Sequence, residues 1–240
     1  MEISAIIPCY NFKEKIIRNI ILLDNTLKKN FINYEIIIIN DASNDGTKNE
    51  LNKLKKNKKI KIIHNRYNKG KSYSILRAIR KAIGKKIILY DCDLPYYSYL
   101  NIFLKKLKNN KFVIIDRKNK KSRLVKKKIS LYQKIRHLIG IIISYVVCSF
   151  IGINTVDTQS GMKGFINVKF LKKNKFISKR FFLDVEIINL FKKNKIYPIK
   201  IPVRFEIPSN STIKLFDIKN FEILIELWKV LVSIRKAKIF

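Results

Sequence analysis

The chain has 240 residues, enough for one large domain or one domain with an appended arm, and 47% of them are hydrophobic, a globular rather than a disordered composition. Lys and Arg number 52 against 17 Asp and Glu, a formal charge of +35, which draws polyanions such as nucleic acid, anionic lipid head groups or phosphorylated substrates. The chain is also saturated in Lys, Ile and Asn, whose codons are all A/T-rich, so charge alone does not choose among these three.

"ISAIIP" (Ile3 to Pro8) follows Met1 and Glu2 and reads as a buried first strand with no signal peptide ahead of it. A helical stretch, Lys13 to Lys29, leads to a second strand, "YEIIIIN" (Tyr34 to Asn40), and a lysine-rich helix, Lys48 to Lys56, leads to "IKIIH". In "SYSILRAIRKAI" (Ser72 to Ile83), Ile75, Ala78, Ile79 and Ala82 share one helical face, and Gly84 is expected to stop the helix. "KIILY" and "KFVIID" continue the alternation. Strand and helix at this spacing predict an α/β fold with a mostly parallel sheet flanked by helices.

Sites in such sheets lie beyond the carboxyl ends of the strands, and Pro8 to Asn11, Asp41 to Asp45 and Asp91 to Asp93 all fall there. Asp91 and Asp93, one residue apart after an apolar run, project to the same side of an extended segment. Two such carboxylates repel unless a cation or hydrogen-bond donors hold them. A divalent metal and the polyphosphate it neutralises are the obvious candidates. Cys9, Cys92 and Cys148 lack paired metal-ligand spacing and read as free thiols. His64 and His137 have no Glu or His at ligand spacing, which argues against zinc.

The second half is less regular. A basic run, "KNKKSRLVKKK" (Lys118 to Lys128), precedes the uncharged "LIGIIISYVVCSFIGINTV" (Leu138 to Val156). "VDTQSGMKGF", "RFFLDVEIINLF" and "IPVRFEIPSNST" follow. In the closing "FEILIELWKVLVSIRKAKIF", Phe221, Leu224, Ile225, Trp228, Leu231 and Val232 form a helical stripe that ends in cations. These patterns divide the chain into a domain over 1–215 and a C-terminal amphipathic helix over 216–240.

Six segments, in order, resemble those of a family 2 glycosyltransferase with the GT-A (Rossmann-like) nucleotide-sugar-binding fold, and in particular a polyprenyl-phosphate sugar synthase of the dolichyl-phosphate glucosyltransferase type. They are "IIPCYN", "IINDASNDGT", "NKGKSYSI", "DCDL", "DTQSGMKGF" and "FLDVEI", spread from about Ile3 to Ser211. Asn40 stands where that family often has its first Asp, Phe12 replaces a usual Glu, Ser72 replaces a second Gly, and Asp116 precedes Arg117 where a Ser is common.

The resemblance implies an inverting hexosyl transfer from a UDP- or GDP-sugar, with Mg or Mn held by Asp91 and Asp93. Pro8, Tyr10, Asn11, Asp41, Gly70, Lys71 and Asp91 would bind the donor, Lys71 reaching its diphosphate while Gly70 lets the backbone approach. A polyprenyl-phosphate acceptor is already largely anionic at neutral pH, its second pKa being about 6. It therefore needs positioning more than proton removal. Arg117, Arg136 and Lys163 are the cations assigned to it, Asp184 and Glu186 would serve near the sugar as base or orienters, and Asp157 and Gln159 would line the same cleft.

About 20 apolar residues span a bilayer, so Leu138 to Val156 is nearly long enough. A single crossing, however, would put Arg117 and "DTQSG" on opposite sides. The stretch is therefore read as a helix at the interface or against the core, with the protein peripheral on the cytoplasmic face of a plasma or ER membrane. Nearby cations would grip the membrane surface, at about 1 kcal/mol each. Two rivals stand beside this reading: transfer to a glycan or protein acceptor, and a basic nucleic-acid-binding protein. No nucleic acid is expected as a partner, because the lysines are spread along the chain without aromatic interleaving.

Overall fold

The computed structural model describes residues 1–125, 130–153, 157–206 and 219–236, the side chains of 136, 137 and 219–221 excepted. Along the chain the elements are β1 (Ile3–Cys9), α1 (Lys13–Asn30), β2 (Tyr34–Asn40), α2 (Thr47–Lys53), β3 (Ile60–His64), α3 (Lys71–Lys81), β4 (Lys86–Tyr90), α4 (Leu100–Asn109) and β5 (Phe112–Ile115). There follow β6 (Arg123–Leu124), α5 (Leu131–Ile151), β7 (Met162–Ile166), α6 (Lys169–Lys173), α7 (Leu183–Lys193), β8 (Ile199–Ile201), β9 (Arg204–Phe205) and α8 (Lys219–Lys236).

Seven strands form one sheet in the order β3-β2-β1-β4-β7-β5-β8, and β6 pairs with β9 in a short second ladder. Every pair in the large sheet is parallel except those of β7, which runs antiparallel to both β4 and β5. The Ile-rich strands β1 and β2 are buried along their whole length because both faces of the sheet are covered. Period-two alternation sends Ile3, Ala5, Ile7 and Cys9 into the core that includes Ile16, Ile20, Leu23 and Leu27 of α1 and Phe103, Leu104 and Leu107 of α4. Ile6, Ile37 and Ile39 join the opposite core, with Ile75, Ala78 and Ile79 of α3 and Leu183, Ile187 and Phe191 of α7.

The strand order reverses between β1 and β4, which makes their carboxyl ends the crevice of this sheet. Pairing of β1 with β4 stops at Ile6–Leu89, whereas β1 stays paired with β2 as far as Cys9–Asn40. Pro8 has no N–H to donate and lies where the contact with β4 has ceased. The two strands thus part at the point where their following loops must frame a cleft.

Three boundaries differ from the sequence expectation. Helix α3 ends at Lys81, because Ala82 is already extended (φ −66°, ψ 130°). Gly84, expected as the helix stop, instead allows a close approach: a Cβ there would lie 2.5 Å from the backbone of Ile3 and Ser4. The lysine-rich helix after β2 is seven residues long and closes in a 3-10 turn, Leu54–Lys56. Helix α5 starts seven residues before the uncharged stretch, because Ser130 and Gln133 form a reciprocal capping box, and it stops at Gly152 in the left-handed region (φ 70°).

Helix α5 is long and apolar enough to cross a membrane, by length and composition. A quarter of its most apolar window is buried. Leu138, Ile142, Tyr145 and Val146 are exposed, while Val147 and Ile151 pack with Phe182, Val185, Val230 and Ile234 where α5, α7 and α8 meet. On α8 the expected stripe faces outward, with Leu224, Ile225 and Trp228 exposed; the inner face is Ile223, Leu227, Val230 and Ile234. Lys126 to Lys128, residues 154–156 and the "PSNST" stretch lie outside the described residues, as does the side chain of Phe221.

Candidate active site

The loops after β1 and β2 are laced together by side chains that replace missing backbone partners. The Asn11 amide donates to Ser43 Oγ (2.9 Å), and Asn11 Oδ1 accepts from the Asn44 amide (3.0 Å). The Phe12 amide donates to Thr47 Oγ1 (2.9 Å) and the Lys13 amide to Asp45 Oδ2 (3.0 Å). Asn11 adopts φ 49°, a conformation Asn tolerates better than most residues. Tyr10 stands 47% exposed at the mouth, and Pro8 is buried beneath it.

Asp41 lies at the end of β2, 4% exposed. Its Oδ1 accepts from Asn65 Nδ2 (2.7 Å) and the Lys69 amide (3.0 Å), and its Oδ2 from the Gly70 amide (2.8 Å). The carboxylate assigned to the nucleoside therefore ties down the 69–70 turn. Gly70 has φ 94°, and a Cβ on it would meet the Lys179 carbonyl at 2.7 Å, so only glycine fits. Lys71 opens α3 directly after it and reaches across the crevice to Asp91, Nζ to Oδ1 2.5 Å. Burial works to lower the Lys71 ammonium, but Asp91 and Asp184 more than offset it and hold it above the usual lysine range. The Asp91 amide donates to the Gly161 carbonyl (3.0 Å), which joins the end of β4 to the start of β7. Asp93 is exposed on the same loop, and its carboxyl is pushed up by desolvation and by its neighbour Asp91.

Because β7 runs against its neighbours, its first residues come to the carboxyl ends of the parallel strands. Lys163 is only 2% exposed; it donates to the Ser160 carbonyl and faces Asp184 Oδ1 at 3.3 Å. Burial pushes the Asp184 carboxyl up, while Lys163 and Lys71 pull it down. Lys163 was expected on an open acceptor phosphate and is instead enclosed against Asp184. Asp157 accepts from Arg117 at both oxygens, with Nη2 to Oδ1 at 2.8 Å. Burial raises the Asp157 carboxyl, and Arg117 more than offsets this to hold it low. The two residues form one bidentate pair, whereas the sequence reading put them in separate roles.

Glu186 is not brought beside Asp184. Two residues apart on α7, the side chains point about 200° apart, and the Glu186 oxygens accept from the Ile177 amide (2.8 Å) and the Ser178 amide (2.9 Å). Gln159 is exposed, its amide bonded to Asp157 Oδ1 (3.3 Å). The side chain of Arg136 lies outside the described residues. Cys9 and Cys92 are free thiols, and the Cys92 thiol is raised by a hydrogen bond with Cys9 and by burial.

Residues 4–156 match the family model for glycosyl transferase family 2. The chain belongs to that family. The fold of this chain is GT-A, as in glucosyl-3-phosphoglycerate synthase from Mycobacterium tuberculosis in complex with UDP, which superposes with TM-score 0.66 at 14% identity over 97% of this chain and 79% of that one. The same synthase in complex with Mn2+, UDP-glucose and phosphoglyceric acid gives TM-score 0.64 at 12% identity, over 96% and 79% of the two chains. Among curated proteins the chain is similar to the dolichol-phosphate mannosyltransferase of Pyrococcus furiosus, 32% identical over 96 residues. That match spans 40% of this chain and 27% of the relative's length.

At the base of the crevice three carboxylates, Asp91, Asp93 and Asp184, face two ammonium groups, Lys71 and Lys163. In so cationic a protein this is a locally acidic spot, and the mutual repulsion felt by Asp93 is what a cation would relieve. Among the described residues no group of three His, Cys, Asp or Glu side chains could cage a metal unaided. The pair Asp91 and Asp93 fits an ion such as Mg2+, which takes one or two carboxylates and completes its shell from phosphate oxygens and water. The sequence reading passed over Asn65, which connects Asp41 to Arg77 (Nη1 to Oδ1 2.6 Å). It stands directly after β3, and its place at a strand end was the available signal.

Proposed function

We propose that the protein transfers a hexose, with inversion, from a UDP- or GDP-sugar to a polyprenyl phosphate on the cytoplasmic face of a membrane. The observation that carries the reading is the meeting of Lys71, Asp91, Lys163 and Asp184 at the switch point of the sheet, beside a helix with an exposed apolar face. The relative named for dolichol-phosphate mannosyl transfer supports a lipid-phosphate acceptor, and the neighbour crystallised with Mn2+ and UDP-glucose supports a metal-assisted nucleotide-sugar donor.

Lys71 supplies a cation at the opening of α3 for the diphosphate, and Asp41 fixes the turn that aims it. Asp91 and Asp93 would hold Mg or Mn, which when bound supplies Lewis-acid neutralisation of the leaving diphosphate. Asp91 and Asp184 are each matched to a lysine and Asp93 is given to the metal, so none is left to serve as a strong base. That suits an acceptor whose phosphate oxygen is already anionic and needs only orientation and screening. Asp184, held between Lys71 and Lys163, is the orienting group. The exposed faces of α5 and α8 would seat the protein on lipid and bring the prenyl chain to the cleft.

The test is a screen of labelled UDP- and GDP-sugars with Mg2+ or Mn2+ and a short polyprenyl phosphate. Label in the organic phase supports the reading. Label found only in a water-soluble glycan overturns the lipid acceptor, and tight, salt-steep binding of RNA without sugar-nucleotide binding overturns the whole reading.

A further inference from the structure

Glu226, on α8, is distant in sequence from every site residue, yet it controls the turn against which the donor lysine is set. Its Oε1 accepts from the Ser178 hydroxyl (2.5 Å) and from three consecutive amides, Lys179 (2.9 Å), Arg180 (2.9 Å) and Phe181 (3.3 Å). Successive N–H groups converging on one oxygen form an anion-binding nest, and here the anion is supplied by the chain itself. Glu186 grips the preceding amides, Ile177 and Ser178, from α7.

The outer side of this turn faces α3. The first amides of any helix lack partners within it. In α3 the Ser72 amide donates to the Arg180 carbonyl (3.2 Å) and the Tyr73 amide to the Lys179 carbonyl (3.0 Å). The Ser72 and Ser178 hydroxyls meet at 3.0 Å. A continuous series of hydrogen bonds therefore runs from Glu226 through residues 178–181 to the opening turn of α3, which carries Lys71. Apolar docking of α8, through Val230 and Ile234, would need no carboxylate at 226.

We infer that Glu226 is a positioning residue for the donor: by filling the nest it fixes the turn that orients the start of α3 and so aims Lys71 at the diphosphate. The C-terminal helix is then a support of the nucleotide site as well as a cover for the core. This inference rests on the reading of the crevice as a donor site.

The test uses the full chain and the variants E226A, E226D and I234V. UDP and GDP are titrated with Mg2+ into the wild type, and the one that binds is carried to the variants; amide exchange over residues 70–76 is followed without nucleotide. E226A is expected to weaken nucleotide binding about tenfold, because charge-assisted hydrogen bonds to the turn are lost. Exchange at Ser72 and Tyr73 should quicken by a similar factor. E226D keeps the charge but falls a methylene short, and should lose roughly threefold; it covers the case in which E226A does not fold. I234V should lower the melting temperature without altering affinity or exchange at 72–73. Wild-type affinity and exchange in E226D and E226A overturn the inference, as does an equal loss in I234V. Failure of the wild type to bind either nucleotide overturns the donor-site reading instead, and the exchange comparison then decides the role of Glu226 alone.

Discussion

Lys163 and Asp184 form an enclosed ion pair on two different elements, and such pairs are intolerant of half-removal. With Lys163 2% exposed, K163M strips the Asp184 carboxylate of its enclosed partner and leaves it only the charge of Lys71, a loss approaching about 3 kcal/mol of folding stability. Chemical denaturation should show it, and a double variant, K163M/D184L, should recover much of the loss. Asp93 behaves oppositely. It is exposed, so D93A should alter stability by less than about 0.5 kcal/mol while abolishing turnover; retained turnover with Mg2+ or Mn2+ would remove Asp93 from the metal. At this scale the acidic pair 91/93 was legible because a two-residue repeat on extended chain keeps both groups on one side. The same spacing in "FLDVEI" lies on a helix, which separates Asp184 from Glu186. Burial of Lys163 was not legible, since no local pattern distinguishes it from the many solvated lysines around it.

Strand β2 carries one charged residue within its apolar run. Glu35 is 1% exposed and accepts from Ser4 Oγ (2.5 Å) on β1, Lys61 Nζ (2.7 Å) on β3 and the Ile83 amide (2.9 Å) after α3. Burial works to raise its carboxyl, but the Ile83 amide, Lys61 and Ser4 together hold it below the usual glutamate range. A carboxyl depressed by folding contributes stability that is present above its unfolded value and lost as pH falls through the folded one. The melting temperature of the wild type should therefore drop between about pH 5 and pH 3 more steeply than that of E35Q, and the two curves should converge in acid. The strands and helices themselves were readable from apolar runs and 3.6-residue periodicity. The strand β7 was not, because Lys163 and Gly164 interrupt its apolar character, and the early start of α5 rested on a capping box outside the apolar stretch.

Among the described residues, α5 exposes nine large apolar side chains and α8 three, the kind of concentration that marks an interaction surface. If it seats on lipid, emission from Trp228, 65% exposed, should shift to the blue when anionic vesicles are added. I142E, at a position 53% exposed, should leave the melting temperature unchanged and reduce vesicle co-sedimentation at least about tenfold. Co-sedimentation at the wild-type level would remove the membrane from the account. The crevice was predictable at this scale from the alternation of strand and helix, which puts Pro8 to Asn11, Asp41 to Asp45 and Asp91 to Asp93 at the carboxyl ends of strands, whereas the outward stripe of α8 was not, since a helical stripe looks the same whether it meets protein or lipid.

The antiparallel strand β7 sits between β4 and β5, although it follows both in the chain and begins beyond residue 156, where the family match ends. Neither neighbour of β5 precedes it in sequence: β7 and β8 both come later. On the ribosome, then, the nascent protein exposes the outer edge of β4 and one edge of β5 until Met162–Ile166 emerges, and the other edge of β5 until Ile199–Ile201 does. One five-residue segment afterwards joins the two parts of the sheet and delivers Lys163 to the crevice. A truncation after residue 156 should accordingly yield an aggregating fragment, not a smaller working domain.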